Sequence, residues 1–235
     1  MGNKKKRGGV KGYKSAKLHW KNVMEVYKFN INELKNSDIE KEMLEVIDYK
    51  RRETLGRIKN RKAYLHSLVG EWMIRQKTTE KTGLDSKRLV IERNEYGKPY
   101  FLNFPEIHFN ISHSGNWVLG ILSNRKCGID VEQMKETHMD IARRFFANDE
   151  YQMLLQEKGE KQRRLFYELW TLKESYVKYE GTGMTLPFHQ FCFERNESGW
   201  RLKKELVDKC QFYEVEVAAG YIAYACISEK GLFRF

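Results

Sequence analysis

Residues 107–132 read IHFNISHSGNWVLGILSNRKCGIDVE, and their pattern indicates the class of fold. Three short segments rich in β-branched and aromatic residues, at 107–112, 117–122 and 128–132, are separated by turns that contain Gly and Asn. Segments of this length with turn residues between them predict successive β-strands. The middle of the chain is therefore expected to be a run of strands.

The residues before this run predict helices. A helix over about 60–76 is indicated by apolar residues at i, i+3, i+4, i+7 and i+8, which are Leu65, Leu68, Val69, Trp72 and Met73. Residues 38–54 are charged, with apolar residues at helical spacing, and residues 26–31 resemble an opening strand. The first half of the chain thus combines helices with strands.

The second half repeats this order. Helical patterns over about 138–157 and 162–179 precede strand-like segments at 191–193, 200–202, 212–217 and 221–227. We therefore predict an α+β fold of two lobes, residues 24–124 and 125–235, that meet near 123–127. A functional site between the lobes is the expected arrangement.

The net charge of +11 is concentrated at one end of the chain. Residues 1–23 contain eight Lys or Arg residues and no acidic residue, so we predict a basic, disordered leader. The preferred interpretation of this leader is a simple upstream extension, and a nucleic-acid or membrane-surface arm is the alternative. A chain with 41% hydrophobic and 13% aromatic residues is otherwise expected to be globular.

Cysteine spacing and hydropathy limit the cellular setting. The four cysteines, at 127, 192, 210 and 226, form no CxxC pair, which favours reduced thiols over zinc or disulfides. No apolar run approaches the roughly 20 residues that span a bilayer. A cytoplasmic protein without membrane association is expected.

Two acids at the end of the strand run are candidate metal ligands. In Gly128-Ile129-Asp130-Val131-Glu132, the carboxylates of Asp130 and Glu132 point to one side of a strand, while Ile129 and Val131 face the core. Neighbouring like charges require compensation, and Mg²⁺ is typically held by one or two carboxylates. The alternative is an exposed strand end with scattered acids.

Two other motifs are ambiguous by themselves. Glu174 and Lys178 are four residues apart on a predicted helix and could serve as acid and base, or form an ordinary surface ion pair. Ser112-His113 follows a strand and suits phosphate binding better than nucleophilic catalysis, because adjacent residues on a strand point to opposite faces. The alternative for Ser112-His113 is a polar hairpin turn. Gly97-Lys98-Pro99 is a tight turn with a cation and does not indicate a function by itself.

The order of these motifs resembles the Sfp-type 4'-phosphopantetheinyl transferases. The motifs are Gly97-Lys98-Pro99, Phe109–Ser114, Gly128–Glu132 and Trp170-x-x-Lys173-Glu174-x-x-x-Lys178, with further similarity at Phe145-Phe146 and Gly181-x-Gly183-x-x-Leu186-Pro187. The resemblance covers about residues 24–227. It implies a monomer of two pseudo-symmetric lobes that transfers phosphopantetheine from coenzyme A to a serine of an apo acyl or peptidyl carrier protein.

The resemblance also implies roles for individual residues. Asp130, Glu132 and Glu174 would bind Mg²⁺ (or Mn²⁺), with Glu174, Lys178 and Asp130 as catalytic residues. Coenzyme A would be bound by Arg51, Ser67, Lys98, Ser112, His113 and Lys178. This chain has His66 where the family often carries Arg, and Thr54 where some members carry Lys.

The carrier would dock on residues 133–146, including Met134, Lys135, Arg143 and Arg144, or on residues 181–191. The alternative for the two arginines is that they are solvated helix charges. Two other functions are the alternatives. A Mg²⁺-dependent nucleotide phosphoesterase would use the same acids, whereas a basic nucleic-acid-binding module would use the leader. The charge distribution argues against nucleic acid as a partner.

Overall fold

A computed structural model describes residues 23–34, 37–136, 138–204 and 209–229, without the side chain of Met184. Of the predicted leader, only Val23 falls within these ranges, so that prediction lies outside the described residues. No helix in these ranges combines the length and apolar character needed to cross a membrane. The monomeric state and the cytoplasmic location stay predictions.

The first lobe is built on a three-stranded antiparallel sheet. The strands of this lobe are β1 (Met24–Asn30), β2 (Ile91–Arg93), β3 (Pro99–Phe101), β4 (His108–Ser114) and β5 (Trp117–Ser123). The strand order in the sheet is β1–β5–β4, and β2 and β3 form a separate small hairpin. The helices are α1 (Ser37–Glu45), α2 (Tyr49–Gly56) and α3 (Arg61–Thr82).

Helix α3 packs against the central strand of this sheet. Asn60 caps its first turn by accepting a hydrogen bond from the backbone N–H of Ala63. Leu68, Val69 and Met73 are buried with Val118 of β5, which joins the helix to the sheet. The hydrophobic stripe that predicted this helix is therefore its buried face.

The second lobe has the same composition of elements. Its strands are β6 (Cys127–Gln133), β7 (Phe193–Asn196), β8 (Gly199–Leu202), β9 (Cys210–Glu214) and β10 (Tyr221–Ser228). The strand order in its sheet is β6–β10–β9, also antiparallel, and β7 and β8 form a separate hairpin. The helices are α4 (Met139–Phe145), α5 (Asn148–Gln156) and α6 (Gly159–Glu180).

The predicted α+β class is confirmed, and the differences are local. The helical stretch 38–54 is two helices, because Asp48 has extended backbone and caps α2 through the N–H of Arg51. Residues 138–157 are also two helices, since Phe146 is extended between α4 and α5. Strand β3 was not predicted. All four cysteines lie in the described ranges and are free thiols, as expected.

A fully buried ion pair organises the second lobe. Lys173 of α6 lies 2.8 Å from Glu150 of α5, and both side chains have no exposed surface. The ammonium also donates to the carbonyls of Phe188 and Phe191, and Glu150 accepts from the backbone N–H of Phe193. The pair thus ties the 188–193 segment to α6, next to the candidate site residue Glu174.

Replacing Lys173 by Met should destabilise the protein strongly. The change leaves Glu150 buried without its cation and two carbonyls without a donor, which costs about 3–5 kcal/mol in comparable pairs. Urea unfolding measures the loss. Lys203→Met, which removes the exposed pair with Asp149, is the control and should barely move the midpoint. Equal effects of both changes would contradict a structural role for the buried pair.

Candidate active site

The acids of β6 lie on one side of the strand, as the sequence predicts. Asp130 is 2% exposed, and Glu132 is half-buried beside it. Ile129 and Val131 point the other way, into a core that also contains Leu119 of β5. This core therefore holds β6 against the first lobe, with both carboxylates at the junction.

Polar side chains of β4 reach across the junction to the backbone of β6. Three alternate residues of β4 accept hydrogen bonds from three alternate N–H groups of β6. The three bonds are Ile129 N to Asn110 Oδ1 at 3.0 Å, Val131 N to Ser112 Oγ at 3.4 Å and Gln133 N to Ser114 Oγ at 3.0 Å. We call these three residues of β4 the side-chain ladder.

Two members of the ladder also orient the acids. The hydroxyl of Ser112 donates to Asp130 Oδ1 at 2.8 Å, and that of Ser114 donates to Glu132 Oε2 at 2.8 Å. Each carboxylate of the second lobe is thus held by a serine of the first lobe. The positions of the acids depend on the relative placement of the lobes.

Helix α6 supplies a cation to the same point. Lys178 Nζ donates to Asp130 Oδ1 at 2.5 Å and to Ser112 Oγ at 2.9 Å. Ser112 therefore uses its one hydrogen and both lone pairs within the protein. Asp130 Oδ2 is buried, and none of the described protein groups hydrogen-bonds to it.

Gly128 allows α6 to approach β6 closely. A Cβ atom built on this glycine would lie 2.2 Å from the carbonyl oxygen of Ser175 and 2.4 Å from the backbone nitrogen of Tyr179. A side chain here would collide with helix backbone, which cannot move aside as a flexible side chain can. The missing Cβ therefore brings Glu174 and Lys178 within reach of the acids.

The acids influence one another electrostatically. Burial, and secondly the charge of Asp130, raises the pKa of Glu132 to about 7. Burial, followed by Asp130, also raises the pKa of Glu174, while Lys178 opposes the shift. Three carboxylates on two elements thus create a site where added positive charge is favourable.

The donor set suits a hard divalent cation, although the side chains are not assembled around one point. Within residues 23–34, 37–136, 138–204 and 209–229, no three His, Cys, Asp or Glu side chains form a ready-made metal cluster. Lys178 is instead the cation nearest to Asp130 in the hydrogen-bond network. The unpartnered Asp130 Oδ2 and the all-oxygen donor set fit the oxygen ligands that Mg²⁺ prefers.

A cleft of about 690 Å³ opens beside these residues and is lined by both lobes. Glu174 and Lys178 are among its polar residues, and most of the remaining wall is apolar. The first lobe contributes Tyr96, Gly97, Lys98, Pro99, Asn110 and Ile111, and the second contributes apolar residues such as Phe145, Trp170, Val177, Leu186 and Phe188. The cleft can accept a ligand with a charged part and a long apolar arm.

Comparisons with known proteins agree with this architecture. Residues 126–226 match the 4'-phosphopantetheinyl transferase superfamily, and residues 35–125 match a family described as 4'-phosphopantetheinyl transferase, N-terminal. The chain is 32% identical to 4'-phosphopantetheinyl transferase Sfp of Bacillus subtilis, over 86% of this chain and 92% of that protein. It is 35% identical to 4'-phosphopantetheinyl transferase ffp of Bacillus subtilis (78% and 83%) and 36% identical to gsp of Aneurinibacillus migulanus (77% and 76%).

The chain belongs to the 4'-phosphopantetheinyl transferase superfamily. The resemblance seen in the sequence motifs is thereby confirmed, and so is the expectation of an enzyme of this class. The two matched ranges, 35–125 and 126–226, meet within the predicted seam between the lobes. This family assignment does not by itself give the roles of individual residues in this phosphopantetheinyl transferase.

The predicted coenzyme contacts fall into two groups in this transferase. Ser112 and Lys178 belong to the network around Asp130. Arg51 pairs with Glu71 at 2.6 Å on the first lobe, and Ser67 is half-buried on α3. Among the described contacts, none links Arg51 or Ser67 to the network around Asp130.

His113 stands at the edge of the ladder and stacks on another histidine. Its ring lies 4.3 Å from that of His66, whose Nε2 is 3.1 Å from the carbonyl oxygen of Gly115. Burial, and then the charge of His113, lowers the pKa of His66 to about 4, so this ring is neutral at physiological pH. His66, which differs from the arginine that the family often carries, therefore packs against His113, a predicted coenzyme contact.

Sequence reasoning missed three residues of the transferase site. Asn110 and Ser114 complete the ladder, and Gly128 permits the approach of α6. A signal for the first two exists in the alternation Asn110-x-Ser112-x-Ser114, which puts three polar groups on one strand face. Nothing in the sequence indicates that their partner is another strand's backbone.

Gly128→Ala should disable the transferase by separating α6 from β6. The added Cβ forces backbone apart, so we expect destabilisation of about 1–3 kcal/mol and a fall in transfer rate on the order of a hundredfold. Thermal unfolding and a carrier-modification assay measure the two effects. Gly56→Ala is the control, since no described atom lies within 4 Å of its built Cβ. A fully active Gly128→Ala enzyme would disprove the close approach.

Proposed function

We propose that this enzyme transfers the 4'-phosphopantetheine arm of coenzyme A to a serine of an apo carrier protein and releases 3',5'-ADP. The observation that carries the proposal is the pairing of Lys178 with Asp130, within electrostatic range of Glu132 and Glu174, next to an interlobe cleft that Glu174 and Lys178 line. A phosphorylated end and a long pantetheine arm fit the polar and apolar parts of that cleft.

The proposal includes a Mg²⁺ site, or Mn²⁺, on Asp130, Glu132 and Glu174. When bound, the cation supplies positive charge that offsets charge building on the pyrophosphate. Ser112 and Ser114 keep Asp130 and Glu132 oriented toward it. This role of the serines is one of orientation, since their hydroxyls are already engaged with the acids.

Glu174 is the proposed base of the reaction. A carboxylate whose pKa is raised by burial takes up a proton more readily near neutral pH. It accepts the proton of the carrier serine as that oxygen bonds to the β-phosphorus of coenzyme A. The bond from that phosphorus to the bridging oxygen breaks, and the electron pair leaves with 3',5'-ADP.

Lys178 serves the leaving group in this proposal. Its ammonium is already at the junction, 2.5 Å from Asp130 Oδ1 and 2.9 Å from Ser112 Oγ. There it offsets negative charge on the departing phosphate. Arg51, Ser67 and His113 remain the proposed contacts to the nucleotide part of coenzyme A.

Asp130→Ala and Glu174→Ala should each abolish transfer while leaving the protein folded. Both changes remove carboxylates that carry the chemistry, and removal of such groups typically costs several kcal/mol of transition-state stabilisation. The assay combines coenzyme A, Mg²⁺ and apo carrier and follows a mass gain of one phosphopantetheine. Glu160→Ala, at an exposed position on the same helix, is the control.

Two results would overturn the assignment. Wild-type-like transfer by either folded variant would remove that acid from the mechanism. Release of phosphate from nucleotides without carrier modification, by the wild-type enzyme, would favour the phosphoesterase alternative.

The carrier protein is proposed to dock on residues 133–146, with residues 181–191 as the second candidate. Arg144 lines the cleft next to Phe145, which is 38% exposed. A cation beside an exposed aromatic ring at the cleft suits a partner with an acidic surface. The docking surface would thus be continuous with the cleft that holds the arm to be transferred.

Arg144→Glu should weaken carrier recognition more than coenzyme A binding. Reversal of the charge repels an acidic partner, so kcat/KM for the carrier should fall about tenfold or more, and further than kcat/KM for coenzyme A. Steady-state kinetics with each substrate varied separately measure this. Arg201→Glu, on the β8 surface, is the matched control. An unchanged carrier KM would exclude Arg144 from docking.

A further inference from the structure

The turn of the β2–β3 hairpin hydrogen-bonds to the C-terminal end of α6. We infer that Asn94 and Lys98 form an interlobe clamp, and that the ammonium of Lys98 positions Glu174 and Lys178 and does not bind coenzyme A. This inference rests on the proposed function, since it concerns the geometry of that same site.

Lys98 joins the two elements that form the site. Its Nζ donates to the carbonyl oxygen of Cys127 at 3.0 Å and to that of Tyr179 at 3.1 Å. Cys127 is the first residue of β6, three residues before Asp130, and Tyr179 directly follows Lys178 on α6. One ammonium group thus sets the distance between the start of the acid-bearing strand and the end of the helix.

A cation is stabilised electrostatically at the C-terminal end of a helix such as α6. The last four carbonyls of an α-helix have no partner within the helix and carry partial negative charge. Tyr179 O is one of these groups, and Lys98 supplies the missing donor. The ammonium is partly withdrawn from water, and this burial lowers the pKa of Lys98. Its hydrogen-bond partners are carbonyl oxygens.

Asn94 gives the clamp a second, independent contact. Its Nδ2 donates to the carbonyl oxygen of Gly181 at 2.8 Å. Its Oδ1 accepts from the backbone N–H groups of Tyr96 and Lys98, at 3.0 and 2.8 Å, which shapes the hairpin turn. The same asparagine therefore folds the turn and attaches it to the helix end.

The residue after the helix is adapted to this contact. Gly181 has a positive φ of 75°, and a Cβ atom built there would lie 2.9 Å from Lys98 Cδ. A side chain at this position would push the lysine stem away from the carbonyls. The absence of a side chain at Gly181 in the second lobe therefore leaves space for the side chain of Lys98 from the first lobe.

The clamp explains how the ammonium of Lys98 can affect the reaction without contacting the substrate, although Lys98 lines the cleft. If the end of α6 shifted, Lys178 Nζ would leave Asp130 Oδ1, and the base Glu174 one turn earlier would move with it. Shifts of about 1 Å at a reacting centre can cost on the order of a hundredfold in rate. A loss of positioning should therefore appear in kcat.

The test is Lys98→Met, which keeps the apolar stem and removes the ammonium. We expect kcat for carrier modification to fall about tenfold or more, with KM for coenzyme A and its affinity by calorimetry within about threefold of wild type. Asn94→Ala should move kcat in the same direction by less. Lys203→Met is the control, since its ammonium pairs with Asp149 of α5 at the surface and does not contact the end of α6; its kcat should be unchanged.

The outcomes separate the alternatives. A rise of tenfold or more in the coenzyme A dissociation constant, with kcat retained, would make Lys98 a coenzyme contact and overturn the inference. Unchanged kcat in both Lys98→Met and Asn94→Ala would do so as well. If Lys98→Met does not fold, Asn94→Ala decides the matter by the same kinetics.

A failure of the proposed function would look different. In that case the wild-type enzyme itself would not modify a carrier protein. Amide hydrogen exchange would still test the clamp, because the N–H of Gly181, bonded to the Val177 carbonyl, should exchange faster in Lys98→Met. Unchanged exchange at that amide would overturn the clamp independently of activity.

Discussion

The side-chain ladder between β4 and β6 is the contact on which the site depends. The edges of the two sheets meet here through Asn110, Ser112 and Ser114, which bond to the backbone of β6. Two of these side chains also hold the carboxylates of Asp130 and Glu132. The joint between the lobes and the orientation of the acids are thus one structure.

Helix α6 is positioned against this joint at two levels. Gly128 permits backbone contact between β6 and the helix, close to Asp130. Farther along, Lys98 ties the helix end to the start of the same strand. The buried Glu150–Lys173 pair fixes the helix within its own lobe. Packing, a cross-lobe donor and a buried charge pair therefore act on a single element, the one that bears Glu174 and Lys178.

The charge balance of the site follows from this assembly. Burial and the neighbouring Asp130 raise the pKa values of Glu132 and Glu174. Lys178 offsets part of this negative charge by lying on Asp130 Oδ1, while Asp130 Oδ2 stays buried and unpartnered among the described groups. One more positive charge would stabilise this arrangement electrostatically, and this is the basis for the proposed cation.

The sequence by itself determined the class of fold, the helix and strand patterns and the identity of the acidic residues, because periodicity and residue type are local properties. The same-side placement of Asp130 and Glu132 followed from strand geometry alone. Only the tertiary structure decided that Ser112 orients an acid, that Lys98 binds the end of α6 and that Gly128 marks a helix contact. Each of those roles depends on a partner that is distant in sequence, and a hydroxyl, an ammonium or a missing Cβ does not reveal its partner until the chain is folded.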